Sequence, residues 1–205
     1  TAGHAAEIYN YYKEQGWKYQ QYIACLDPLG EDRGKTPYAL NPEQYGMFLT
    51  ELFNLWYEDW KKGEQPYIRQ FENYIGILLG YQPESCEQRG SCGIQNVVEA
   101  DGSVYPCDFY ALDEYKLGNF NCNRLEEIDK KRKEIAFVEQ SQIVAENCKN
   151  CKFYKICKGG CRRNKDFNAM NGEYENYFCK SYRIFFDICL ERMIQIVEII
   201  KNQKG

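Results

Sequence analysis

The fourteen residues Cys148–Cys161, CKNCKFYKICKGGC, hold four of the chain's eleven cysteines, at spacings of two, five and three residues. They constrain the chain more than any other stretch. The N-terminal sequence TAGHAAEIYNYYKEQ has neither a basic n-region nor a continuous apolar h-region, so no secretion signal accompanies these thiols. Without an oxidising compartment, and with an odd count, disulfides are the weaker reading and metal binding the stronger one. The only histidine, His4, is far from the cysteines in sequence and is read as a surface or core residue. Any site is then all-thiolate, which suits zinc or iron–sulfur. A zinc ribbon separates its two Cys-x2-Cys pairs by about 15–20 residues. Here five residues divide Cys151 from Cys157, and the next gap is three. Such spacing favours a cubane, which is larger than one ion and can share a run of thiols with a neighbouring cluster. Zinc stays open as the alternative.

The other cysteines extend the pattern. Cys86-x5-Cys92 is followed by nine residues, Gly102, four residues and Cys107, and seventeen residues separate Cys161 from Cys179. That makes eight thiols in two sets of four. Cys25 and Cys189 are expected to be small buried hydrophobes, and Cys122 is ambiguous. Lys149, Lys152, Lys155, Lys158, Arg162, Arg163 and Lys165 crowd the run. Cations there would stabilise an anionic cluster, or form a solvated basic loop. Gly159-Gly160 would let the backbone turn tightly.

Around this constellation the chain reads as ordinary globular protein, with a net charge of −4 and 44% hydrophobic residues. The charge gives no reason to expect nucleic acid, and no apolar run approaches the ~20 residues that span a bilayer. Residues 5–15 predict a helix stopped by Gly16, and Trp17–Cys25 predicts a strand. A Gly/Pro-rich loop leads to Asn41-Pro42, a helix start. Behind it Tyr45, Phe48, Leu49, Leu52, Phe53, Trp56, Tyr57 and Trp60 fall at helical spacing, a core stripe. A second helix is expected over 67–79. From Tyr81 to Cys179 segments are short. There IQNVVEADGSVYPC predicts a β-hairpin turning at Asp101-Gly102. One helix is expected over Leu125–Val138 and a long one over Tyr177–Lys201, too charged for a membrane span.

The pattern Cys-x9-Gly-x4-Cys, then Cys-x2-Cys-x5-Cys-x3-Cys, then a last Cys, resembles the SPASM extension of radical S-adenosylmethionine enzymes. Cys86 upstream and Asp108 after Cys107 make it similar to the anaerobic sulfatase-maturating enzymes. The resemblance implies an α+β chain in three parts. Residues 1–79 would be the end of a partial β/α barrel, 80–179 an irregular SPASM auxiliary-cluster domain, and 180–205 a C-terminal helix packing back on the barrel. It assigns Cys86, Cys92, Cys107 and Cys161 to one auxiliary [4Fe-4S] cluster, and Cys148, Cys151, Cys157 and Cys179 to a second. The run would then give three ligands to one cluster and one to the other.

The activity implied is two-electron oxidation of a Cys or Ser in a sulfatase polypeptide to Cα-formylglycine, driven by a 5′-deoxyadenosyl radical. Asp108 would act as general base, if partial burial tunes it toward neutrality. Leu26 would lie near the adenine of S-adenosylmethionine. A cytoplasmic location and an external donor such as ferredoxin or flavodoxin are implied, with no nucleic acid and no membrane. Alternatives are another peptide-modifying SPASM enzyme, such as a thioether-forming one, and a stand-alone electron-transfer module. The Cys-x3-Cys-x2-Cys motif of the S-adenosylmethionine-binding cluster is absent, and Asn164 stands where a third Cys would follow Cys157-x3-Cys161. The chain is therefore expected to be the C-terminal portion of a longer enzyme, with that third cluster elsewhere.

Overall fold

Asn41 opens the best-specified helix of the chain. Its side chain accepts the Gln44 N–H at 2.9 Å, and Pro42 fills the first position, where no N–H is needed. The computed structural model describes residues 2–203; Thr1 and residues 204–205 of the expected end segments lie outside them. Before α2 (Pro42–Trp60) come α1 (Ala5–Glu14) and β1 (Tyr19–Gln20); after it come β2 (Tyr67–Ile68) and α3 (Arg69–Leu78). Gly16 stops α1 at φ 71°. β1 and β2 are parallel, with Tyr19 opposite Tyr67 and Gln20 opposite Ile68, and α2 is the helical crossover between them.

The strand expected over Trp17–Cys25 is only two residues long. β2 gives way at once to α3, so a longer β1 has no partner to bond. Residues 21–26 run on without a ladder, and Cys25 is exposed rather than buried. The following loop is organised by Asp27, a buried carboxylate that accepts the N–H groups of Gly34 (2.7 Å) and Thr36 (2.9 Å) and the Thr36 hydroxyl. Those donors, Gly34 first, hold its pKa down to about 2.

The rest of the chain is short elements until its last helix. These are α4 (Cys86–Arg89), β3 (Val97–Val98), β4 (Ser103–Tyr105), β5 (Gly118–Asn119), α5 (Leu125–Glu134), α6 (Phe137–Ser141), α7 (Glu146–Lys149), α8 (Tyr154–Cys157), β6 (Lys165–Asn168), β7 (Glu173–Asn176) and α9 (Cys179–Gln203). The hairpin turning at Asp101-Gly102 is present as β3–β4, with Gly102 at φ 85° and the Asp101 carboxylate accepting the Ser103 N–H. β5 adds a third antiparallel strand to it. The helix expected over Leu125–Val138 is two helices, broken where Ala136 takes φ 47°. Beyond the break Phe137 is buried, edge-on to Tyr110 at 5.1 Å. The antiparallel pair β6–β7 was not expected, although Asn171-Gly172 marks its turn.

The core lies where α9 packs along α2 and α3. Tyr45, Phe48, Leu49, Leu52, Phe53 and Trp56 of the α2 stripe are buried there, while Tyr57 and Trp60 are half-buried against them. Phe53 meets Phe71 at 5.2 Å and Phe185 at 5.9 Å. Gly46 lets the helices close up: a Cβ there would sit 3.1 Å from the Ser181 backbone. His4 is exposed and pairs with Glu7 at 3.1 Å. Among the described residues no helix is long and apolar enough to cross a membrane. Phe185→Ala should cost about 3–5 kcal/mol, since it empties the point where α2, α3 and α9 meet. Denaturant unfolding of the cluster-loaded protein reads this loss.

Candidate metal centres

The eight cysteines of the pattern divide between two cavities. Cys86, Cys92, Cys107 and Cys161 line one of about 470 Å³. Cys148, Cys151, Cys157 and Cys179 line another of about 640 Å³. No thiol lines both. All eleven cysteines are free; Cys189 is buried as expected, and Cys122 is exposed.

Each position follows from local structure. Cys86 is the first residue of α4. The Cys92 N–H donates to Ser141 Oγ at 2.8 Å, tying that loop to the end of α6. Cys107 leaves the β4 strand just before a single 3-10 turn, Asp108–Tyr110. Cys161 enters another, Arg162–Asn164, and its sulfur accepts the Arg163 N–H at 3.4 Å. Cys148 lies in α7 and Cys157 ends α8, while Cys179 begins α9. Between Cys157 and Cys161 three successive residues are left-handed: Lys158 (φ 54°), Gly159 (φ 82°) and Gly160 (φ 71°). A Cβ on Gly160 would fall 2.3 Å from Asn176 Nδ2, the atom that donates to the Gly159 carbonyl. Only glycine fits, and the turn it permits sends two thiols four residues apart to different cavities.

Burial lifts the thiols of Cys107 and Cys157 to about 12 and raises Cys92, Cys148, Cys161 and Cys179 as well. Neighbouring sulfurs of the same set add to this: Cys86 acts on Cys92, and Cys179 and Cys151 act on Cys148. Without metal these six thiols are neutral near pH 7, so loading must displace their protons. Backbone N–H groups already favour the charged form at Cys157, from Gly159, and at Cys161, from Arg163.

The cations of the run are mostly fastened to the fold. Arg162 donates to the Phe137 carbonyl and to Gln140, and Arg163 to the Asp27 carbonyl. Lys149 pairs with Glu146 and Lys152 with Asp187. Lys165 donates to the carbonyls of Ser141 and Ile143. Burial lowers the Lys165 pKa, opposed by the thiols of Cys148, Cys161, Cys92 and Cys157. Its charge is therefore felt by thiols of both sets. Glu87, which lines the first cavity, accepts a hydrogen bond from Tyr182, which lines the second. The sequence reading missed this buried bridge; a Glu beside a ligand-spaced Cys was its only signal.

The all-sulfur donor sets suit soft metals. Among the described residues, no three His, Cys, Asp or Glu side chains converge closely enough to hold one metal ion. Both cavities far exceed the ~30 Å³ of one water. The residues therefore fit a cluster with a thiol at each corner. Asp108 also lines the first cavity, and its Oδ1 accepts the Cys107 thiol at 3.1 Å. Its side chain is exposed, so the partial burial expected of it is not supplied by these residues. Leu26 lines the same cavity and packs on the core.

Residues 86–152 match the SPASM model, an iron–sulfur cluster-binding domain. The chain is 45% identical, over 98% of its length, to a cysteine-type anaerobic sulfatase-maturating enzyme of Clostridium perfringens. It is 29% identical, over its whole length, to a serine-type enzyme of Bacteroides thetaiotaomicron. It spans about half of these relatives: 54% of the first and 53% of the second. A solved structure of native anSMEcpe with bound AdoMet and Cp18Cys peptide superposes with a TM-score of 0.87 at 43% identity, covering 98% of this chain and 56% of that one.

Oxygen-free reconstitution should load about eight iron and about eight acid-labile sulfide per chain. Cys92→Ala and Cys148→Ala should each lose about half, Cys25→Ala none. Gly160→Ala should lose iron from both sets, since its Cβ displaces the turn that carries Cys157 and Cys161.

Proposed function

The chain carries a SPASM iron–sulfur domain and matches the C-terminal portion of the anaerobic sulfatase-maturating enzymes, and on that premise we propose that it is the auxiliary-cluster part of such an enzyme. The whole protein would be a radical S-adenosylmethionine oxidoreductase converting a residue of a sulfatase polypeptide to Cα-formylglycine. The observation that carries this is the division of eight thiols between two cavities, with a carboxylate, Asp108, on the wall of one. Residues 1–79 would complete a partial β/α barrel, in which β1, α2 and β2 form one parallel unit. Residues 80–179 would hold the clusters, and 180–205 would clamp the two together.

When bound, S-adenosylmethionine supplies the hydrogen-abstracting radical, and two [4Fe-4S] clusters held by the two sulfur sets carry single electrons. The chain's own residues do the rest. Cys86, Cys92, Cys107 and Cys161 would hold one cluster and Cys148, Cys151, Cys157 and Cys179 the other, and four protein thiolates apiece would leave no iron open to substrate. A ligating Cys107 carries no proton, and the Asp108 oxygen that accepts its S–H here is then free to accept another. That proton would come from the target cysteine thiol; with the Cβ hydrogen atom taken by the radical and one electron given up to a cluster, a thioaldehyde would be left. Water then adds and hydrogen sulfide leaves, giving the aldehyde. Leu26, on the same wall, offers an apolar face for the adenine.

Similarity leans toward a cysteine target: the cysteine-type relatives are 40–45% identical, the serine-type ones 26–29%. A sulfatase polypeptide is the partner proposed, with a small external protein as electron donor and a cytoplasmic setting.

In the full-length enzyme, Asp108→Asn should lower formylglycine formation about 10²–10⁴-fold, with iron and sulfide content unchanged. Mass spectrometry of the peptide product measures it, and unchanged turnover would remove Asp108 from the chemistry.

A further inference from the structure

Lys165 stands at the junction of the two sulfur sets. It opens β6 four residues after Cys161. Its register partner in β7 is Asn176, whose side chain holds the Gly159 carbonyl in the turn between Cys157 and Cys161. A Cβ on Gly159 would lie 3.9 Å from the Lys165 Cε. The ammonium donates to the carbonyls of Ser141 at 2.7 Å and Ile143 at 2.9 Å. Ser141 Oγ accepts the N–H of Cys92, in the first set. Two residues beyond Ile143, the Ala145 carbonyl accepts the N–H of Cys148, in the second, at 2.9 Å. One side chain thus clasps the segment that joins one set to the other.

Neither acceptor is a carboxylate, so no bonded anion cancels the charge. Lys149 and Lys152 differ in this, since each is paired with an acid. Lys165 is also half-buried, which limits screening by water. Its electrostatic neighbours are Cys148 and Cys157 of one set and Cys161 and Cys92 of the other. Arg162 acts on Cys92 and Arg183 on Cys179, each within a single set. An added electron makes a thiolate-ligated cluster one unit more negative, and a nearby cation favours that state.

We propose that Lys165 supplies one positive charge to both clusters, holding the reduction potential of each above the value it would have without that charge. This rests on the two-cluster reading given above. Lys165 touches neither substrate nor reacting atoms; it is a positioning residue that acts through the clusters. Because it lifts both together, an electron from the substrate is taken up more readily at either one. The step between the two clusters changes little.

The test uses the full-length, cluster-loaded enzyme and a redox titration followed by electron paramagnetic resonance. Cys92→Ala and Cys148→Ala versions, each keeping one set intact, assign the two auxiliary signals. Lys165→Gln keeps a donor and loses the charge. It should make each auxiliary cluster about tenfold harder to reduce, a fall of about 59 mV for one electron. Lys165→Met should do the same, and serves if the first variant loads poorly. Lys165→Arg should keep both equilibria within about twofold of wild type. The S-adenosylmethionine-binding cluster of the full-length enzyme should keep its potential throughout.

Unchanged potentials in a loaded neutral variant would overturn the proposal. So would a shift confined to one cluster. An equal shift in Lys165→Arg would overturn it as well, by tracing the effect to bonding geometry rather than charge. Failure of both neutral variants to hold clusters would do so too, by making Lys165 a brace for residues 141–143 alone. Failure of the underlying reading looks different: the wild-type enzyme would carry zinc, or show a single auxiliary signal.

Discussion

Three consecutive left-handed residues, Lys158, Gly159 and Gly160, set the geometry on which the cysteine-rich side depends. A chain continuing the α8 helix through Cys157 would carry Cys161 one turn further along the same face. The turn prevents this and points the two thiols into separate cavities. It is held by a single side-chain bond, from Asn176 to the Gly159 carbonyl. Asn176 belongs to β7, three residues before Cys179. One strand end thus fixes the turn between the sets and delivers a sulfur of the second.

The helical layer supplies the rigidity that such short elements lack. α9 begins with a sulfur of the second set and then runs along α2 and α3 through Phe185, Phe186, Cys189 and Met193, all buried. Tyr182 on α9 reaches Glu87, beside Cys86 of the first set. The positions of both sulfur sets therefore depend on one hydrophobic seam. The cations near the sulfurs fit the same logic, since most are bonded to carbonyls or carboxylates that join loops. Arg163 is the buried one among them, and half-buried Lys165 senses thiols of both sets.

Elements set by local chemistry were legible beforehand. Asn41-Pro42, Asp101-Gly102 and Gly16 each act within a few residues of themselves, and each stands where expected. Elements set by a distant partner were not. The strand read over Trp17–Cys25 stops after two residues because β2 offers no more ladder, and Cys25 is left exposed. The periodicity over Leu125–Val138 is continuous, yet Ala136 breaks it as Phe137 turns toward Tyr110 and Arg162. The β6–β7 hairpin had a signal in Asn171-Gly172, overlooked beside the cysteines.

By itself the sequence determined the donor chemistry: eight sulfurs at fixed spacings and almost no histidine leave little but soft-metal ligation, because ligand type and chain reach are local properties. It also placed Asp108 next to Cys107. Tertiary structure alone decided which sulfurs share a cavity and that Asp108 stands exposed on its wall. Those outcomes depend on how segments far apart in the chain pack, and spacing along the backbone carries no record of that.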